Sequence, residues 1–219
     1  MTTEMTHQQQ STRLIEAIVE HALQANDLEL LRQLAQVLGL RAGHRVLLIA
    51  EDADLAVQTL STEFGCEVEH YRGSLRQLPY AEASFTGALV AVPVSGDLHA
   101  LARELYRVLQ PNGVLGMVAF SVYRDQMPDD PALIDLVLPL RSMSRPAAAI
   151  RAMLAECGFT AFVSQDRRRE VRRQALASYR QHVLPKSTGA AVGDAAAQAL
   201  ALLAGGGIGV TLITAEKAA

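Results

Sequence analysis

Three carboxylates, Glu51, Asp52 and Asp54, follow the apolar run Val46–Ala50. They place like charges around one short loop and would repel any ligand carboxylate brought there. Glu69 sits near the end of the short segment CEVEHY; a solvated strand residue is its competing reading, because glutamate is seldom buried unless paired. A basic cluster, Arg167, Arg168, Arg169, Arg172, Arg173 and Arg180, could receive an anion, with Arg169, Arg172 and Arg173 as the candidate ligands. Asp166, Glu170 and the net charge of −3 favour a solvated helix face instead. His44, His70 and His99 are scattered, and none has a positioned partner that would make it a proton-transfer group. Tyr123, Arg124 and Asp125 follow the end of a central strand, the side of an open α/β sheet where ligands bind; a plain loop is the competing reading. No Ser–His–Asp or metal-ligand spacing is present, and Cys66 and Cys157 stand far apart as inert thiols. The GGGIG run at 205–209 follows a helix and precedes a strand, the reverse of a phosphate-binding loop, and reads as a helix stop and turn.

The elements that must position these residues alternate in type. Residues 1–10 read as a tail. Leu14, Ile15, Ile18, Val19 and Ala22 form a helical stripe, and a second helix carries Leu30, Leu31, Leu34 and Leu38 and ends at Gly39. Residues 46–50 are continuously apolar, as in a strand buried on both faces of a parallel sheet. A helix over 53–64, the strand CEVEHY and a strand at 87–92 come next. A helix starting at Asp97 puts Leu98, Leu101, Leu105, Val108 and Leu109 on one face. The turn PNG leads into VLGMVAF; a helix opened by Ser144 and Pro146 precedes the strand FTAFVS. An Arg-rich helix, an Ala-rich helix near 191–204 and the strand IGVTLITAEK close the chain. This alternation predicts a doubly wound, Rossmann-like, mostly parallel α/β sheet with N-terminal helices. The expected division is a tail at 1–10, helices at 11–40 and one α/β domain at 41–219.

Half of the 219 residues are hydrophobic, enough for a full core without disulfides. The acidic balance argues against nucleic acid as a partner. The polar N-terminus has no apolar signal-peptide core, and no run reaches the roughly 18 apolar residues of a membrane span. A cytoplasmic protein that spans no membrane is the default expectation.

The stretches GSLRQLPYAEASF and LARELYRVLQPNGVLGMVAF resemble the second half of class I S-adenosylmethionine (SAM)-dependent methyltransferases of the type 11 kind. CGFTAFVS and IGVTLITAEK resemble that family's later helix–strand step and closing antiparallel strand. The resemblance implies a SAM site built from Ala50, Glu51 and Asp52 after the first strand, Glu69 as the ribose acid, and Ser74 and Leu75 on the adenine side. These positions depart from the family pattern. Leu48 stands where an acid belongs; Ala50, Asp52 and Asp54 stand where glycines let the backbone approach the cofactor. Ser74 and Thr86 replace aspartates. Between Val46 and Gly73 there is room for one helix and one strand, so one β–α unit of the family is missing. It is either the second strand with its helix or the second helix with the third strand.

Three readings follow. The first is a methyltransferase-like scaffold, regulatory subunit or partner subunit with a degenerate SAM site, working as a homodimer or beside a catalytic protein. The second is an active SAM-dependent enzyme with an atypical loop, acting on a small molecule. The third is a binding module for a small anionic ligand in the old cleft. SAM is the one cofactor in question, and no metal is expected.

Overall fold

The computed structural model describes residues 28–50, 53–90, 97–122, 146–169, 173, 177 and 208–219. The candidate stripe at 14–22, Tyr123–Asp125, the 191–204 helix and most of the GGGIG run lie outside them. The chain divides into two compact units: one takes Asp27–Phe120, Arg145–Gln165 and Thr211–Ala219, the other Met1–Asn26, Ser121–Ser144 and Asp166–Val210.

Six strands form one sheet: β1 (Arg45–Ile49), β2 (Glu67–Tyr71), β3 (Phe85–Val90), β4 (Leu109–Val122), β5 (Phe159–Asp166) and β6 (Ile208–Lys217). The helices are α1 (residues 28–37), α2 (Asp54–Glu63), α3 (Leu98–Val108) and α4 (Ala147–Glu156). The strand order is β2-β1-β3-β4-β6-β5, with β1 parallel to both β2 and β3, β3 parallel to β4, and an antiparallel β4-β6-β5 part. The apolar run of β1 thus has its physical reason. With helices over the sheet, Val46, Leu47 and Leu48 are fully buried.

Helix α1 buries Leu30, Leu31 and Leu34. It stops at Gly39, whose φ of 63° and the Leu40 N–H to Ala35 carbonyl bond (2.9 Å) make a left-handed C-terminal turn. On the sheet, Gly116 admits this helix: a Cβ there would stand 2.8 Å from Leu38 Cδ1 and 2.9 Å from Leu89 Cδ2. Helix α3 is capped by Asp97, whose carboxylate accepts the Ala100 N–H at 3.0 Å, and it buries Leu101, Ala102, Leu105 and Val108.

The order identifies the missing unit. In a doubly wound sheet the third strand lies outside the second, in the order 3-2-1-4-5-6. Here the second strand is itself the edge, and the next strand in the chain already lies across β1. Among the described residues no strand lies outside β2, so the piece that the resemblance expects and the described sheet lacks is the second helix with the outer strand. The chain closes this join tightly. The Tyr71 hydroxyl donates to the Ser74 carbonyl at 3.0 Å, and a Cβ on Gly73 would collide with that hydroxyl.

The PNG turn is a looped-out register shift between Leu109, paired with Phe85, and Val114, paired with Gly87. Its left-handed residue is Asn112 (φ 60°) and not Gly113. Gly113 is needed for another reason: a Cβ there would lie 2.7 Å from the Gln110 carbonyl.

Candidate functional site at the carboxyl edge of the sheet

Strand β1 continues to β2 on one side and has β3 on the other, so the crevice at its carboxyl end is the topological switch point, where open α/β sheets bind ligands. Ala50 follows β1 directly and is 9% exposed. Its carbonyl lies 3.0 Å from His70 Nε2, and Arg72 Nε lies 3.3 Å from the same nitrogen. One ring nitrogen cannot serve both. A carbonyl only accepts, so the shorter contact requires a proton on Nε2, and the Arg72 approach is then a contact between two donors.

Glu69 does not reach the strand end. It pairs in register with Leu47 in mid-strand, is exposed, and takes the Tyr80 hydroxyl at 3.5 Å. Burial, then the Glu69 charge, push the Tyr80 hydroxyl pKa up, so Tyr80 stays protonated as the donor. The Ser74 hydroxyl accepts a long bond from the Arg76 N–H (3.4 Å), and Leu75 is half-buried against the core. Glu51, Asp52 and Arg172 lie outside the described residues. Arg169 and Arg173 are exposed in the second compact unit. The structure thus brings Ala50 together with His70 and Arg72, and Ser74 together with Tyr71. His70, Tyr71 and Arg72 are marked only by their place at the carboxyl end of a parallel strand, a signal that becomes usable once the register is known.

The other titratable groups have separate partners. His99 pairs with Glu156 at 3.2 Å, joining α3 to α4 on the surface. Burial pushes the Cys66 and Cys157 thiols above their ordinary pKa, so neither is a ready thiolate. Among the described residues no three His, Cys, Asp or Glu side chains group as metal ligands.

The loop entering β3 is held by a clamp on α3. Arg107 Nη1 donates to the Tyr80 carbonyl (2.7 Å) and Nη2 to the Leu78 carbonyl (3.1 Å). Arg107 also makes a two-pronged bond to Glu104, with Nε to Oε1 at 2.9 Å and Nη2 to Oε2 at 2.7 Å. Glu104 Oε2 in turn accepts the Leu78 N–H at 2.8 Å. The Arg107 hydrogen bond holds the Glu104 carboxyl below the usual carboxylate range. The LPY and ELYRV segments are therefore two halves of one device.

No protein-family model matches this sequence, and neither does the sequence of any curated protein. Solved structures do match in fold. Phosphoethanolamine N-methyltransferase 2 of Haemonchus contortus, in complex with S-adenosyl-L-methionine, aligns with a TM-score of 0.69 at 15% identity, over 86% of this chain and 52% of that one. This chain thus spans about half the length of that enzyme. Geranyl diphosphate C-methyltransferase of Streptomyces coelicolor A3(2), in complex with Mg2+, geranyl diphosphate and S-adenosyl-L-homocysteine, aligns at a TM-score of 0.65 and 11% identity, over 85% and 79% of the two chains. The [4+2]-cyclase SpnF aligns at a TM-score of 0.53 and 20% identity, over 89% and 82%. At these identities the likeness is one of fold, and by sheet order, motif placement and structural neighbours this chain carries the fold of the class I SAM-dependent methyltransferases.

Proposed function

We propose that this chain is a methyltransferase-like protein that does not transfer methyl groups and serves as a scaffold, regulatory or partner subunit. The observation that carries this reading is the carboxyl end of β2. In place of an acid facing the crevice it has His70 bonded to Ala50 and Tyr71 bonded to Ser74. The one acid of that strand near the site, Glu69, is turned to Tyr80. Ala50, Asp52 and Asp54, where the resemblance expects glycines, point the same way. The fold itself does not argue for methyl transfer, since a [4+2]-cyclase shares it. The partner is a second copy or a catalytic protein, and the site of action is the cytoplasm; among the described residues no helix is long and apolar enough to cross a membrane.

A second reading, a small anionic ligand, draws on exposed Arg169 and Arg173 and on two neighbours solved with phosphate-bearing molecules, phosphomonomethylethanolamine and geranyl diphosphate.

A thermal melt with and without millimolar SAM, checked by calorimetric titration, tests the first reading. A ligand at 100 times its Kd adds about 2.7 kcal/mol, a rise of roughly 5–10 °C for a domain of this size. No shift is expected. A clear shift with stoichiometric heat overturns the reading. The same titration with phosphomonomethylethanolamine separates the second reading from the first.

A further inference from the structure

We infer that His70 and Tyr71, the last two residues of β2, form a two-sided stopper that keeps a nucleoside out of the carboxyl-edge crevice. The inference rests on the non-catalytic reading above and gives it a structural cause. Consecutive strand residues point to opposite faces, so these two side chains leave β2 on opposite sides. Each ends on a backbone carbonyl of a different flanking loop. His70 Nε2 lies 3.0 Å from the Ala50 oxygen, and the Tyr71 hydroxyl 3.0 Å from the Ser74 oxygen. The strand end is thereby tied to both of the loops that would have to part around a bound nucleoside.

The loop after β2 has a single glycine, Gly73. A glycine admits close approach because it has no Cβ. Here that space is taken by the hydroxyl and ring of Tyr71. The tyrosine is also braced from behind. Its ring meets Tyr80 edge-on at 5.9 Å, and Tyr80 meets the fully buried Phe85 edge-on at 4.9 Å. A ligand entering by this route must break two hydrogen bonds and lift a packed ring, with nothing on Glu69 to reward it. The residues present do not fit SAM, and the misfit is built from the protein's own side chains.

The test uses the full chain, S-adenosylhomocysteine as probe, and the variants Tyr71→Ala and His70→Ala with Tyr71→Ala. The natural protein is expected to give no heat in calorimetry. The double variant is expected to bind at least about tenfold more tightly than the natural protein's detection limit, a gain comparable to one hydrogen bond. A folded double variant that gives no heat overturns the stopper. Binding by the natural protein overturns the non-catalytic reading and the stopper with it, whereas a silent, folded double variant overturns the stopper alone, so the two failures are distinct.

A second measurement serves if the alanine variants do not fold. Arg72 and Arg76 are exposed trypsin sites beside the tied loop. Tyr71→Phe removes only the hydroxyl, and His70→Ala only the other tie. Each is expected to speed cleavage after Arg72 or Arg76 several-fold while lowering the melting temperature by no more than the roughly 2–4 °C that the loss of about 1 kcal/mol gives a chain of this size. Unchanged cleavage in both overturns the stopper.

Discussion

On the α3 side of the sheet, Arg107 and Glu104 bind the loop that enters β3 through its backbone at Leu78 and Tyr80. At the end of β2, His70 and Tyr71 bind two other loops, also through backbone carbonyls. Both regions tie loops to elements, but they stand differently toward the fold family. The clamp lies in the segment that resembles class I methyltransferases, and its work is structural: it holds the loop backbone at Leu78 and Tyr80 and meets the β2 end only through the Tyr80 side chain, which bonds Glu69 and packs on Tyr71. The β2 end lies where the resemblance expects SAM, and there the residue types have changed. On the reading proposed above, the motif is kept because the fold needs the clamp, while the β2 end is put to another use. The LPY and ELYRV match is evidence of architecture and carries no weight for methyl transfer.

The largest expected effect tests the clamp. Arg107→Ala removes four hydrogen bonds and leaves the half-buried Glu104 facing two unpaired carbonyls. Breaking such a network costs about 2–4 kcal/mol, roughly 5–15 °C in melting temperature. Tyr71→Phe loses one neutral hydrogen bond and is expected to cost about 1 kcal/mol. Equal losses would break the contrast between a folding device and a site device.

Next comes the close approach of α1. Gly116→Ala pushes a methyl group against Leu38, Leu89 and Leu34, all at the ends of leucine side chains that can yield in part. Overpacking of this kind costs about 1–3 kcal/mol, read from the denaturation midpoint. A neutral outcome would mean that α1 rides loosely on the sheet.

Acid sharpens the clamp further. The folded-state pKa of Glu104 is depressed by Arg107, so its contribution is complete above the unfolded value, about 4.3, and is lost as pH falls through the lower folded value. The natural protein should melt higher than Glu104→Gln at pH 7, and the gap should close on titrating from about pH 4.3 downward. A gap that persists in acid would assign the effect to packing.

Much of this architecture is legible in the residues. The unbroken apolar run marks β1, Asp97 marks the start of α3, and Gly39 the end of α1, because each signal is local. The site was less legible because its determinants are not. Arg107 reaches carbonyls at Leu78 and Tyr80 that no spacing rule connects to it. Glu69 looks like a strand-end acid, but the register sets it opposite Leu47 and leaves His70 and Tyr71 at the end. The missing unit could be identified only from strand order. Even the PNG turn divides its labour unexpectedly, with Asn112 taking the left-handed backbone and Gly113 avoiding the Gln110 oxygen.

The smallest expected effect comes from a pair that resembles the clamp. Arg32 also binds a glutamate in two-pronged fashion, with Nε to Glu63 Oε2 at 3.0 Å and Nη2 to Oε1 at 2.9 Å. The chemistry matches that of Arg107 with Glu104, but the surroundings do not. Side-chain exposure is 36% and 45% at Arg32 and Glu63, against 34% and 16% at Arg107 and Glu104, so the carboxylates set the two pairs apart, and among the described residues neither Arg32 nor Glu63 holds a backbone group of a loop. Exposed ion pairs gain little because water solvates the separated charges nearly as well and salt screens what remains. A double-mutant cycle of Arg32→Ala and Glu63→Ala should therefore show a coupling near the error of the melt, vanishing at molar salt. A coupling as large as that between Arg107 and Glu104 would show that the guanidinium–carboxylate pair itself supplies the stability. The expected difference assigns the clamp's strength to the loop backbone it satisfies.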